Sequence, residues 1–302
     1  MSVNGEDDYG GSSMLPPDLF DKTTLVSLAS TVLILLTAYA LSVKCLSPAT
    51  ARPLRVLFIW HAFDALIHFF LEGSFLYHCF FSWIPTSFVL ETEDLYYPTA
   101  FNYLGTGADR VYGPQSAPDN PFSQLWMVYA RADKRWAGAD LTVISLELLT
   151  VFAAGPLACY ICYLISKQDH RAYLWMIIVA TGELYGGFMT FCPEWLTGNV
   201  NLDTSNWMYL WLYLIFFNTL WVFIPLYAIY VSWGEITKAF NEQASVSRGR
   251  ARRSRADILI DNLDAAKNAS QAESHVAEQW ERDEETERYL EALGHAAHMQ
   301  QT

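Results

Sequence analysis

Five stretches of this chain run for twenty residues or more with almost no formal charge: 23–43, 56–84, 141–166, 172–191 and 206–233. At ~1.5 Å per helical residue, about 20 residues cross a ~30 Å hydrocarbon core, so each stretch is long enough to span a bilayer as a helix. Backbone polar groups in lipid must be satisfied internally, which leaves helices as the structure such runs can adopt. The expected fold class is therefore all-α: a polytopic membrane bundle of five transmembrane helices over 23–233. A polar segment, 1–22, precedes it and a polar tail, 234–302, follows. The fourth span is the shortest and contains Gly182, Gly186 and Gly187.

Flanking charge sets the expected orientation. Lys44, Arg52, Arg55, Lys167, Arg171, Lys238, Arg248, Arg250, Arg252, Arg253 and Arg255 collect on one side; Lys22, Arg110, Arg131, Lys134 and Arg135 lie on the other. The amino terminus, with Glu6, Asp7, Asp8, Asp18 and Asp21, and the long 85–140 loop are thus expected to be lumenal, and the tail cytosolic. No basic-then-apolar leader opens the chain, so a cleaved signal peptide is not expected. The loop exceeds fifty residues and carries Phe88, Tyr96, Tyr97, Phe101, Tyr103 and Tyr112, which suits a lid packed on the membrane or over a cavity mouth. The tail is basic near the membrane, a contact for anionic lipids, then acidic and helical. Its residues 256–302 hold eleven acids and three bases of a chain whose formal charge is −13. The remaining body has no basic face for nucleic acid. Cys159 and Cys162 form a CxxC inside an apolar run with no second pair, so no metal is expected.

Carboxylates inside spans need explaining, because a charge at the centre of a helix costs at least ~2.5 kcal/mol. Asp64, His68 and Glu72 stand four residues apart on one helix face. Glu147 precedes Thr150 by three on the third span; Glu183 is on the fourth; Asn218 and Trp221 are three apart on the fifth. A buried carboxyl with no cation beside it can keep its proton and act as a donor. A second carboxylate can accept a proton or steady positive charge, and an indole face attracts a cation. Acid, base and indole around a dry cavity suit moving a double bond through a carbocation, without a cofactor. Such a site should also bind lipophilic amines. Plainer roles compete: an interhelical hydrogen-bond network for Asp64–His68–Glu72, a transport relay for Glu147, a cap or bend for Glu183, helix glue for Asn218 and packing for Trp221.

These residues carry a resemblance. From about Trp60 to Tyr230, the chain resembles the emopamil-binding protein family, the 3β-hydroxysteroid Δ8,Δ7-isomerases of the endoplasmic reticulum membrane, which have an EXPERA-type domain. The matching residues are Ile67-His68 with Glu72-Gly73, Ser123-Gln124-Leu125-Trp126 with Tyr129-Ala130, and Glu147 with Thr150 before Gly155-Pro156-Leu157. Leu184-Tyr185-Gly186 and Asn218 with Leu220-Trp221 complete the set. The resemblance implies catalysis by His68, Glu72 and Glu147. Thr150, Asn218, Trp221, Tyr129, Tyr185, Asp64 and Glu183 are expected to bind substrate or steady the cation. It implies an isomerase acting on a sterol or sterol-like terpenoid in the endoplasmic reticulum; membrane lipids and a second copy of the chain are kept among the partners. The family usually has Gln where Glu183 stands and Asp where Gly187 stands, and Asp64 is an additional acid. A non-sterol polycyclic terpenoid as substrate, or a non-catalytic sterol-binding protein of the same fold, stays open.

Overall fold

In the computed structural model, residues 16, 18–89 and 98–299 are described, with side chains to 294. Glu6, Asp7 and Asp8 of the amino-terminal segment, and Tyr96 and Tyr97 of the loop, lie outside the described residues. The chain divides into two compact units, with the boundary between Ile236 and Thr237.

In the first unit, five helices are long and apolar enough to cross a membrane. They are α1 (Lys22–Cys45), α2 (Arg52–Phe81), α4 (Leu141–Ser166), α5 (Arg171–Leu196) and α6, which opens at Met208. A shorter helix, α3 (Pro121–Ala130), lies in the long connection between α2 and α4. Asp21 and Asp140 cap α1 and α4 by accepting the backbone N–H groups of Thr24 and Val143. The fourth span is not short: α5 has 26 residues, because Pro193 lies within its last turn without ending it. The helix of the fifth span runs on past 233: after Met208–Phe217 it is α-helical over Asn218–Met299. With no Pro or paired glycines between 234 and 293, no breaker separates the apolar span from the basic residues beyond it.

Helix α2 is the centre of the bundle. Of its most apolar window 61% is buried, against 33% for α4 and 17% for α1. Leu57, Phe58 and Phe63 of α2 pack with Ile161 and Leu164 of α4 and Met176 and Val179 of α5. The outward faces remain apolar: Leu33, Leu36, Phe152, Phe188 and Phe223 are all more than half exposed, as suits lipid-facing side chains.

The connection from α2 to α4 is structured rather than a plain loop. Trp83–Pro85 (β1) pairs antiparallel with Arg110–Tyr112 (β2), Ile84 opposite Val111. Gly113 follows β2 at φ 104, and a Cβ there would collide with the Gly138 carbonyl. Phe75 and Cys79 of α2 share a core with Tyr103, Tyr112, Trp126 and Val143. Arg135 is 2% exposed: it donates to both carboxyl oxygens of Asp133 and, at 2.6 Å, to the Thr190 carbonyl of α5. It also lies 3.6 Å from Glu194. Burial works against its charge, and those carboxylates more than offset it, holding the guanidinium above its ordinary range. Asp18 accepts from Tyr209 at 2.5 Å and pairs with Arg131 at 3.3 Å, which fixes the approach to α1. The second unit is helical to Met299, and its apolar side chains Leu259, Leu263, Trp280 and Leu290 are exposed.

Candidate functional site

Three segments near the expected site residues are wound wider than an α-helix: Ile67–Glu72 in α2, Thr150–Ala154 in α4 and Met208–Phe217 in α6. Their hydrogen bonds span five residues, as from Gly73 N–H to the His68 carbonyl and from Gly155 N–H to the Thr150 carbonyl. Such π-helical turns re-aim side chains and recur at functional sites. In α4 the cause is local. Pro156 has no N–H for the Phe152 carbonyl, so the ladder shifts by one residue there. The third π-helical stretch ends where Asn218 begins. Asn218 Nδ2 donates to the Tyr213 and Leu214 carbonyls at 2.9 and 3.0 Å, capping the widened turn.

The turns direct side chains into a cleft of about 910 Å³ lined by α1 to α6. His68, Glu72, Glu147, Thr150, Glu183, Asn218 and Trp221 line it, as do Tyr129 and Tyr185. Its other walls include Phe63, Leu71, Leu125, Trp126, Trp136 and Tyr213. A cleft of this size, mostly apolar with a few convergent polar groups, is the form of a small-molecule site.

The polar groups form one connected cluster. His68 Nδ1 lies 2.5 Å from Glu72 Oε2, and the same oxygen accepts from Thr150 Oγ1 at 2.5 Å. Thr150 Oγ1 is also 3.1 Å from Glu147 Oε2. The Thr150 hydroxyl thus bridges the carboxyls of Glu72 and Glu147, joining α2 to α4. On the other side of the imidazole, His68 Nε2 lies 3.1 Å from Asp64 Oδ1, which also accepts the Trp221 indole N–H at 2.9 Å. The Trp221 ring is held edge-on by Trp60, with centroids 5.3 Å apart.

The remaining expected residues take distinct places. Asp64 is fully buried but is not in the cavity wall. Glu183 is neither a cap nor a bend: it sits mid-helix in α5, 9% exposed, with its carboxyl beside Asp64 and His68. Asp64, His68 and Glu183 each present a ligand atom within 4.8 Å of the others, the described grouping with the spacing to hold a cation. Asn218 Nδ2 donates to Tyr129 Oη at 3.0 Å. Burial pushes the Tyr129 phenol above its ordinary range, so it stays a neutral donor. Tyr185 is 64% exposed and stands at an open edge of the cavity, apart from the polar cluster.

Sequence reasoning missed Trp136, whose ring stacks on Trp126 at 4.8 Å and 7° and lines the cavity beside it. Its place beside Lys134 and Arg135 in a polar stretch gave no apolar periodicity to find it by. His61, fully buried with no partner on either ring nitrogen among the described residues, was missed too. It lies three residues before Asp64, on the same helix face, which is the signal that was available.

Residues 121–232 match the EXPERA (EXPanded EBP superfamily) family model. The chain is 27% identical over 215 residues to a probable 3-beta-hydroxysteroid-Delta(8),Delta(7)-isomerase of Oryza sativa, covering 70% of this chain and 81% of that one. It is 32% identical over 103 residues to the 3-beta-hydroxysteroid-Delta(8),Delta(7)-isomerase of Cavia porcellus, 34% of this chain and 45% of the other. It is 24% identical over 228 residues to an isomeliandiol synthase of Melia azedarach, 74% of this chain and 91% of that protein.

Proposed function

We propose, from the premise that this chain belongs to the emopamil-binding protein family, that it is a membrane isomerase moving a carbon–carbon double bond in a sterol or sterol-like terpenoid. The observation that carries the reading is the Glu72–Thr150–Glu147 contact in the cavity wall, flanked by His68 and Trp221. One carboxyl of the pair, Glu72 positioned by His68, gives a proton to one carbon of the double bond. The other carbon becomes cationic. Loss of a proton from the next carbon to Glu147 then sets the double bond one position along. The reaction is redox-neutral and conserves atoms, so the side chains supply all the chemistry it needs. Because the Thr150 hydroxyl bridges donor and acceptor, the proton gained by Glu147 returns to Glu72 through it, restoring the starting state.

The transient cation lies between anionic carboxyls and the Trp221 ring, where cation–π attraction contributes ~2 kcal/mol in a desolvated setting. Preorganised charge of this kind is the main source of barrier lowering in such sites. Lipophilic amines fit the same position as ammonium ions. The relatives include a probable sterol isomerase and an isomeliandiol synthase, and the acid Glu183 in the wall alters the cavity's polarity, so a polycyclic terpenoid is the second substrate class this reading admits. The distribution of Lys and Arg supports a lumenal amino terminus and a cytosolic tail, and the family resemblance supports the endoplasmic reticulum membrane as the site of the multi-pass protein.

The test is incubation of detergent-purified protein with a Δ8-sterol, without cofactors, followed by product analysis. A Δ7 product formed by wild type, and reduced at least ~100-fold in folded Glu72→Gln and Glu147→Gln variants, is expected. Unchanged turnover in both variants would end the assignment of these residues.

A further inference from the structure

Asp64 is a fully buried acid on α2 that does not touch the cavity. One of its oxygens accepts the Trp221 indole N–H at 2.9 Å, and that oxygen also faces His68 Nε2 at 3.1 Å. Its other oxygen meets no N–H or O–H of a described residue, and neither oxygen of Glu183 does. The two carboxyls are neighbours, each offering an oxygen within 4.8 Å of the other. His68 thus stands between two carboxyl pairs, Glu72–Glu147 at Nδ1 and Asp64–Glu183 at Nε2. A charged acceptor on an indole N–H pushes electron density into the ring and makes its face more attractive to a cation.

We propose that Asp64 is a positioning residue that works through Trp221: from behind the cavity wall it fixes the indole and charges its face for the cation. Glu183, with a carboxyl oxygen within 4.8 Å of Asp64 and His68, is the acid beside it. The inference rests on reading the cavity as a site where a cation forms, and it concerns two acids that the family's usual pattern does not contain.

The test compares binding of a quaternary azasteroid with binding of its neutral carbon isostere, on full-length protein in lipid nanodiscs. Asp64→Asn keeps the volume and an oxygen to accept the indole N–H but removes the charge. It should weaken the quaternary ligand about tenfold and the isostere less than about twofold. In a Trp221→Phe background the same substitution should change quaternary binding less than about twofold, because the ring that carries the effect has lost its N–H. Equal weakening of both ligands would make Asp64 merely structural and overturn the proposal. A full tenfold loss persisting in the Trp221→Phe background would overturn it by showing direct attraction. So would a stoichiometric metal in the purified protein that Asp64→Asn releases. Turnover of a Δ8-sterol by wild type, measured on the same preparation, judges the isomerase reading separately.

Discussion

Replacing Thr150 by Val isolates the link between the two central carboxyls. The exchange keeps the branched shape on α4 and removes one hydroxyl, whose oxygen lies 2.5 Å from Glu72 Oε2 and 3.1 Å from Glu147 Oε2. A hydrogen bond to a charged group contributes about 1.5–3 kcal/mol. At ~1.4 kcal/mol per decade of rate, its loss should slow turnover roughly 10- to 150-fold. Apolar walls such as Phe63, Leu71 and Tyr213 are untouched, so substrate affinity should change less than about threefold. Thr150→Ser restores the oxygen and should recover turnover to within about threefold of wild type. Steady-state conversion of a Δ8-sterol in nanodiscs, with ligand-binding controls, measures all three proteins. A Thr150→Val variant that turns over at the wild-type rate would refute the claim that this hydroxyl couples the carboxyls. A Thr150→Ser variant as slow as Val would refute it as well.

Gly155 follows the π-helical turn of α4, and a Cβ there would lie 3.1 Å from Phe69 Cζ and 3.3 Å from His68 Cβ. Gly155→Ala should therefore lower the thermal midpoint and turnover together, whereas Gly182→Ala, with nothing within 4 Å, should leave the midpoint unchanged or raise it, by up to ~1 kcal/mol of helix propensity; thermal unfolding of both checks the contrast. Arg135→Met leaves Asp133 and Glu194 buried without their cation, which should cost about 3–5 kcal/mol and appear as a lower midpoint that higher salt does not restore. A quaternary azasteroid should inhibit competitively, and Trp221→Leu should weaken it at least tenfold, ~1.4 kcal/mol or more, while a neutral sterol inhibitor changes less.

The bundle was legible because twenty uncharged residues in lipid have essentially one way to fold. The polar cluster was legible for a related reason: Asp64, His68, Glu72 and Glu147 are too costly in a membrane to be incidental, and their spacing put three of them on one face. Their coupling across helices was not legible. The π-helical turns that aim His68, Glu72 and Thr150 depend on hydrogen-bond register, and of the three only the turn before Pro156 has a local cause visible in the residues. Glu183 beside Gly182 in a short span read both as a cap or bend and as a group facing the substrate; its neighbours, Asp64 and His68, come from another helix. Arg135 read as a surface base marking topology, since a polar stretch gives no sign that Asp133, Glu194 and the Thr190 carbonyl will enclose it. Trp136 was hidden for the same reason.

The central claim is that a carboxyl of this cluster hands its own proton to the substrate. Protein equilibrated in deuterated water and given less than one equivalent of a Δ8-sterol tests it directly, by mass and position of label in the product. One deuterium on the carbon that leaves the double bond is the result expected, absent in Glu72→Gln. An isomerised product carrying no deuterium would mean that hydrogen moves within the substrate, and would contradict the account.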